Sequence, residues 1–204
     1  MLYRSNRQNR SRGFTLFEML VVVGIMVIVT GVVLANFPGF RNKSNLDLVA
    51  QEVAVAIRQA QTYGIATREK GGTFDSYGVN FVNNNSTRFI IFADKSTSGT
   101  QNKYDSGELV EQFDFKGGIK LASNGLKFCG NSGCTDFAGN PQAGVNIMFY
   151  RPDPEATFKK TDGGNFVNVD TSVFSIFITN GKTGDENKRE IIVHRSGHIY
   201  VKPQ

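Results

Sequence analysis

RSRGFTLFE, residues 10–18, precedes a run from Met19 to Phe40 that contains no charged residue. About 20 apolar residues are enough for an α-helix to cross a bilayer, so this run predicts a membrane-spanning helix. Glu18 stands at the start of the run, where an unpartnered carboxylate costs roughly 2.5–3.5 kcal/mol. The sequence therefore indicates that Glu18 has a specific partner.

Gly13 lies five residues before Glu18 and suggests what that partner is. A cut after Gly13 would create an amino terminus on Phe14, and such an amino group is cationic near neutral pH. The cation could neutralise Glu18 within one chain or between neighbouring chains. Before any cut, positive charge would hold the leader on the cytoplasmic side of the membrane, through Arg4, Arg7, Arg10 and Arg12.

Three other interpretations of this segment stay open. A secretory signal peptide has a shorter apolar core and a small-residue cleavage site, which Leu34-Ala-Asn-Phe37 does not provide. A plain membrane anchor fits the length of the run but leaves Glu18 without a role. A buried core helix is the third, although a run that is apolar on all sides suits lipid or a helix bundle better.

Residues 13–18, GFTLFE, and the apolar run that follows resemble the N-terminal motif of the type IV pilin and type II secretion pseudopilin family. The resemblance implies that a prepilin peptidase cuts between Gly13 and Phe14 and that the new amino terminus is methylated. It also implies that Glu18 guides the docking of each subunit into a helical filament. Phe17 departs from the family, in which this position is more often aliphatic, but the position stays apolar.

The resemblance also implies partners and a location. The partners are the prepilin peptidase, other pilin or pseudopilin subunits, and an inner-membrane assembly platform driven by a cytoplasmic ATPase. The precursor would be a single-pass inner-membrane protein with an extracytoplasmic head. Assembly would then place it in a pilus or pseudopilus at the cell surface or in the periplasm.

The net charge of the chain is less informative than it first looks. The formal value is +5, but the leader holds four of the 23 basic residues and none of the 18 acidic residues. The chain after Gly13 is therefore close to neutral, and its basicity is weak evidence for a nucleic-acid partner.

Cys129 and Cys134 enclose a short glycine-containing segment, CGNSGC. A disulfide could close this loop, and disulfides persist in exported domains. Free thiols are the alternative, because two thiols alone make only half of a zinc ligand set. We expect neither a metal nor a cofactor at this pair.

Four segments are predicted along the chain: a leader at 1–13, a transmembrane or filament-core helix at 14–40, an amphipathic helix at 41–68 and a β-rich head at 69–204. Pro38-Gly39 is expected to break or kink the first helix, and Ser44 to cap the second. Leu48 and Val55 are either scattered surface residues or a contact strip for a neighbouring subunit. The opposite, apolar face of the second helix should pack on a sheet, through Leu46, Val49, Ala50, Val53, Ile57, Ala60 and Gly64.

After Arg68, short runs of β-branched and aromatic residues alternate with turn-forming clusters. The fold class predicted is α+β, with the long N-terminal helix packed on a mainly antiparallel sheet in a lollipop shape, which the family resemblance also implies. The segments YGVNF and RFIIFAD look most like the minor pilins and pseudopilins of the GspH/FimT type. The predicted strands are Tyr77–Val82, Arg88–Ala93, Leu109–Phe115, Val145–Tyr150, Val173–Thr179, Glu190–His194 and His198–Lys202.

Two groups of polar residues have side chains that could bind a metal ion. Asp94 begins a segment with the outline of a calcium loop, and Asp105 and Glu108 add carboxylates, but serines stand at two ligand positions. An ordinary hairpin loop is the favoured interpretation there, and Asp162–Asp170 is read as another polar loop. His194 and His198 flank a predicted turn and are interpreted as surface residues, with a cross-strand metal pair as the alternative.

Basic residues near the carboxyl end raise the alternative of a minor pilin whose head binds DNA for uptake, as some FimT-type pilins do. Asp185, Glu186 and Glu190 interrupt them, which favours a mixed solvated surface. No nucleophile–base pair or phosphate-binding loop is evident, so we expect a structural subunit and not an enzyme; an anchored exported enzyme is a third class. The basic residues are Lys182, Lys188, Arg189, Arg195 and Lys202.

Overall fold

The computed structural model describes residues 13–66, 76–82, 86–95, 104, 107–130, 133–137, 144–150, 152–162 and 165–203. The side chains of residues 36–40, 161–162 and 165–166 are not part of this description. Contacts divide the chain into a first unit, residues 1–41, and a second unit, residues 42–204. The two units are described separately.

Helix α1 runs from Leu16 to Ile65. Thr15 caps its start, because the Thr15 hydroxyl oxygen accepts the backbone N–H of Glu18 at 3.2 Å. The helix continues through Pro38, so the predicted break there is wrong. One proline removes a single backbone hydrogen bond, which a long helix can tolerate. Ser44 also lies within the helix, so the prediction that it caps a second helix is wrong. A kink at Pro38 stays a prediction, and residues 67–68 of the predicted helix lie outside the described residues.

In the first unit, the helix from Leu16 to Ala35 is exposed at every position. This span has a mean hydropathy of 2.6 and is long and apolar enough to cross a membrane, judged by length and composition. The exposed side chains include Leu16 at 85% and Leu34 at 64%. Such a surface is unfavourable in water, and lipid or another apolar partner would cover it.

In the second unit, the helix buries the predicted apolar face. All seven positions of that face are buried, and Ala54 and Ala56 join them. Leu48 and Val55, on the opposite side, are 64% and 56% exposed. The periodicity of three and four residues therefore identified the packing face correctly.

The strands form two antiparallel sheets. The first sheet has the order β3-β2-β1-β6-β7-β8, and the second has the order β11-β10-β9-β4-β5. The α+β class with antiparallel sheets is therefore confirmed. The strands are β1 Ser76–Val82, β2 Arg88–Asp94, β3 Leu109–Asp114, β4 Lys120–Gly130, β5 Gly133–Asp136, β6 Gly144–Phe149, β7 Ala156–Asp162, β8 Asn165–Val169, β9 Val173–Thr179, β10 Lys188–His194 and β11 Ile199–Val201.

Each of the predicted strands is present, with ends that differ by two residues at most. Strands β4, β5, β7 and β8 were not predicted. The expectation of a polar loop across Asp162–Asp170 is wrong in part, because β8 occupies Asn165–Val169 and pairs with β7. Pairing to an existing strand satisfies the backbone groups of such a polar segment.

The core of the second unit lies between the helix and both sheets. One continuous cluster joins helix residues such as Leu46 and Ile57 to strand residues such as Val79, Ile147 and Ile176. Phenylalanines fill much of this space: Phe89 stacks on Phe113 with ring centroids 4.9 Å apart. This packing supplies the apolar burial that holds the unit together.

Candidate processing and assembly site

Gly13, Phe14 and Thr15 form a short non-helical segment immediately before α1. Phe14 is 71% exposed, and a Cβ atom added at Gly13 would meet no heavy atom within 4 Å. The peptide bond between Gly13 and Phe14 is therefore accessible. Exposed, non-helical backbone of this kind is where proteolytic cleavage concentrates.

Glu18 occupies the third position of the helix that Thr15 caps. The pattern Thr15-x-x-Glu18 is that of a capping box, in which the acidic residue sits in the first turn. Negative charge there is favoured by the partial positive charge of the helix amino terminus. Sequence reasoning treated Glu18 only as a charge in lipid and missed this second role, although the Thr-x-x-Glu spacing was visible.

The predicted disulfide between Cys129 and Cys134 is present. The two residues face each other across the hairpin that joins β4 to β5. The Thr171 hydroxyl donates a hydrogen bond of 2.6 Å to the carbonyl oxygen of Cys129 and fixes the hairpin to the segment before β9. The disulfide lies in the second unit.

The calcium candidates are only partly within the described residues, because Asp105 lies outside them. Asp94 and Glu108 are 5% and 2% exposed. Glu108 accepts the backbone N–H of Lys95 at 3.1 Å, and Ser76 donates to Asp94 at 3.5 Å. Among the described residues no group of three potential metal ligands forms. The ordinary hairpin loop stays the favoured interpretation, and the calcium alternative is not tested, because Asp105 lies outside the described residues.

Near Asp94 lie two titratable groups that sequence reasoning did not single out. Lys159 on β7 is 8% exposed, and its burial lowers the pKa of the ammonium group while Asp94 opposes the shift. Burial, assisted by Asp94, raises the pKa of Tyr150 above its usual range. The Lys159 ammonium lies 5.7 Å from the centre of the Tyr150 ring. Their proximity depends on strand pairing and carries no local sequence signal.

The predicted DNA-binding residues mostly contact acidic groups. Arg195 contacts Asp170 at 2.7 Å, Lys202 contacts Glu190 at 3.1 Å, and Lys188 lies 3.8 Å from Asp185. Each pair offsets the positive charge that a phosphate would need.

Arg189 is only 6% exposed, so it is not a surface residue. Its guanidinium contacts Asp47 of α1 and donates to the carbonyl oxygens of Glu186 and Lys188 at 3.1 and 2.8 Å. Lys182 lies in an exposed segment before a short 3₁₀ turn at Asp185–Asn187. Three of the five predicted residues, Lys188, Arg189 and Lys202, line one cavity of about 250 Å³. Asp185 and Glu190 line the same cavity, so its charge is mixed and not uniformly basic.

A family model and two solved structures match the chain. Residues 8–34 match the family described as the prokaryotic N-terminal methylation motif. No curated protein matches the chain. A structure of the minor pseudopilin EpsH from the type 2 secretion system of Vibrio cholerae is 13% identical, with a TM-score of 0.38, over 77% of this chain and 94% of that one. A second, crystal structure of the same pseudopilin is 16% identical, with a TM-score of 0.28, over 63% and 96%.

The methylation motif spans the accessible Gly13–Phe14 bond, the capping box and most of the exposed apolar span. It therefore coincides with the exposed amino-terminal segment described above. Over residues 8–34 the chain is therefore similar to proteins that carry the prokaryotic N-terminal methylation motif.

Proposed function

We propose that this chain is a structural subunit of a type IV pilus or of a type II secretion-like pseudopilus. The observation that carries the proposal is the exposed apolar helix that lies largely within a methylation motif. An apolar surface of this length needs lipid before assembly and other helices afterwards. A filament built from such helices supplies the second environment.

Processing is the first step of the proposal. A prepilin peptidase cuts between Gly13 and Phe14, and the amino group of Phe14 is then methylated. Three features support this step: the match to the methylation motif, the non-helical backbone at residues 13–15 and the exposure of Phe14. The glycine leaves room for a catalytic site to approach the backbone closely.

Membrane storage is the second step. The precursor crosses the inner membrane once, with its arginine-containing leader in the cytoplasm and the second unit outside. The disulfide between Cys129 and Cys134 suits an extracytoplasmic location, because thiols are kept reduced in the cytosol.

Assembly is the third step. An inner-membrane platform driven by a cytoplasmic ATPase transfers the subunit from lipid into a bundle of sibling helices. The apolar side chains lose little in this exchange, because lipid and a helix bundle are both apolar. Glu18 is different: its charge is stabilised when the amino group of Phe14, on the same or a neighbouring subunit, lies close to it.

Replacement of Glu18 tests the charge-pairing step. Glu18→Gln keeps a side chain that a capping box accepts but removes the charge. We expect this variant to be cut normally and to give much less filament, measured by immunoblots of the membrane and of sheared filaments. Glu52→Gln, at an exposed position of the same helix, is the matched control and should assemble normally.

An unchanged yield of filaments in the Glu18→Gln variant would contradict the charge-pairing step.

Gly13→Ala separates the processing step from the assembly step. We expect that variant to accumulate as an uncut precursor in the membrane, whereas Glu18→Gln should accumulate in its cut form.

A further inference from the structure

The turn between β10 and β11 brings the two histidines of the chain together. The backbone N–H of His194 donates to the carbonyl oxygen of His198 at 2.9 Å, and that of Gly197 donates to His194 at 2.9 Å. Val193 pairs with Ile199 in the adjacent rung of the hairpin. His194 and His198 are therefore directly opposite one another, and their side chains lie on the same face of the sheet.

The two imidazoles are close enough to share an ion. Their ring centroids are 5.8 Å apart, and their planes are inclined by 45°. Imidazole nitrogen lies about 2.0–2.1 Å from a bound zinc ion, so an ion can lie between two rings at this separation. His194 is half-buried and His198 is exposed, so the pair is open to solvent.

Tyr200 completes a cluster of three rings on this face. Its ring centroid lies 5.8 Å from that of His194 and 5.2 Å from that of His198. The phenol ring packs beside both imidazoles and limits the orientations that they can adopt. The histidines are thus held near each other before any ion arrives, which lowers the entropic cost of binding.

The turn itself is fixed by contacts from several elements. The backbone N–H of Arg195 donates to Ser172 at 2.9 Å, and its carbonyl oxygen accepts from Ala156 at 2.8 Å. Gln61 of α1 donates to the carbonyl oxygen of Gly197 at 3.1 Å. Gly197 has a φ of +82°, and a Cβ there would lie 2.2 Å from the carbonyl oxygen of Pro154. The positions of the two histidine backbones are therefore tightly defined.

The electrostatic surroundings permit a cation. The guanidinium of Arg195 is the charge nearest in sequence, and it contacts the Asp170 carboxylate at 2.7 Å. This pairing reduces the repulsion that Arg195 would exert on an incoming ion. Neutral imidazole is a preferred ligand of the late first-row divalent metals.

We propose that His194 and His198 form a two-imidazole binding site for a late first-row divalent ion such as Ni²⁺, Cu²⁺ or Zn²⁺. Two ligands from the protein leave further coordination positions to water or to a group from another molecule. The site does not depend on the proposed role of the chain in a filament.

The sequence contains two histidines, His194 and His198, so no other histidine can contribute to metal binding in the test. The full chain in detergent micelles is titrated with Ni²⁺ at pH 7.5 by isothermal calorimetry. We expect one equivalent to bind. His194→Ala and His198→Ala should each weaken binding about tenfold or more, since either leaves one imidazole and abolishes chelation.

Ser196→Ala, in the exposed turn between the histidines, is the matched control and should bind Ni²⁺ as the unaltered chain does. Melting temperatures without metal establish that each variant folds, and His198→Gln is a second variant at the more exposed position. Saturating Ni²⁺ should raise the melting temperature of the unaltered chain and not that of the variants. Absent binding, or equal affinity in the unaltered chain and in both single-histidine variants, would overturn the proposal.

Discussion

At the scale of single residues, Glu18 combines two physical roles that a sequence pattern separates poorly. It occupies the acidic position of the Thr15-x-x-Glu18 capping pattern, and it places a negative charge at the start of an apolar span. The first role needs only a polar side chain such as Glu or Gln at this position. The second role needs the charge itself, which is why the glutamine variant distinguishes them.

Lys159 gives a prediction with a definite pH dependence. Burial lowers its pKa below the ordinary value of 10.5, so the folded state binds the proton less tightly than the unfolded state. The charged form therefore opposes folding at neutral pH, and the penalty disappears as the pH rises through the lowered pKa toward 10.5. We expect Lys159→Met to raise the melting temperature at pH 7 and to lose this advantage toward pH 10.5.

Near-ultraviolet circular dichroism of the full chain in detergent measures this effect. Lys160→Met, at the adjacent position of β7, is the control for replacing a lysine of this strand. The raised pKa of Tyr150 makes stability fall above pH 10 in every variant, because the phenol keeps its proton longer in the folded state. The quantity compared is therefore the difference in melting temperature between the variants at each pH. A Lys159→Met variant that is less stable at pH 7 would contradict the prediction.

Arg189 shows where residue-level sequence reasoning fails. A run of basic residues predicted a solvated surface, yet Arg189 is buried against Asp47, which is 142 residues away in sequence. Only the pairing of β10 in the second sheet and the packing of α1 bring these two groups together. Local charge patterning carries no information about a contact of that separation.

At the scale of secondary-structure elements, Gly78 of β1 tests how tightly the first sheet is packed on the side away from the core. A Cβ atom there would lie 2.5 Å from the Met148 sulfur and 2.7 Å from the Phe92 ring. We expect Gly78→Ala to lower the free energy of unfolding by about 1–3 kcal/mol through overpacking. Gly130→Ala is the control, because no heavy atom lies within 4 Å of its added Cβ. Equal melting temperatures for the two variants would contradict this account of the packing.

The elements that were predicted from the sequence are those with a strong local pattern. Alternation and β-branched residues identified β1, β2 and β9, and the helical period identified the buried face of α1. Strand β4 was missed because Ser-Asn-Gly interrupts it: Asn124 has a φ of +53°, and the pairing register with β9 shifts between Leu121 and Leu126. Such irregular strands are held by their neighbours and have a weak pattern of their own.

The processing segment could be predicted more fully than the fold around it. Gly13, Phe14 and Glu18 lie within six consecutive residues, so the motif can be recognised from the sequence without the tertiary structure. The histidine pair was also visible as two residues flanking a turn. Its ring separation and the contacts that fix the turn required the second sheet, the segment before β7 and α1.

At the scale of the whole molecule, Leu48 and Val55 test whether neighbouring subunits contact the outer face of the second-unit helix. Both side chains are more than half exposed, so Leu48→Ser with Val55→Ser should leave the fold intact. We expect the double variant to be cut normally and to yield fewer filaments, because it loses apolar area at a subunit contact. Gln51→Ser, also exposed on this helix, is the control. If the double variant gives as many filaments as the unaltered chain, Leu48 and Val55 are scattered surface residues and not a subunit contact.

The most direct test of the central claim is the amino terminus of the mature protein. The chain is produced in cells that contain a prepilin peptidase, extracted from the membrane and analysed by intact-mass and fragment mass spectrometry. The account predicts a chain that begins at Phe14 and carries one methyl group on its amino nitrogen. A chain that retains Met1, or one cut beyond the apolar span after Ala35, would contradict it.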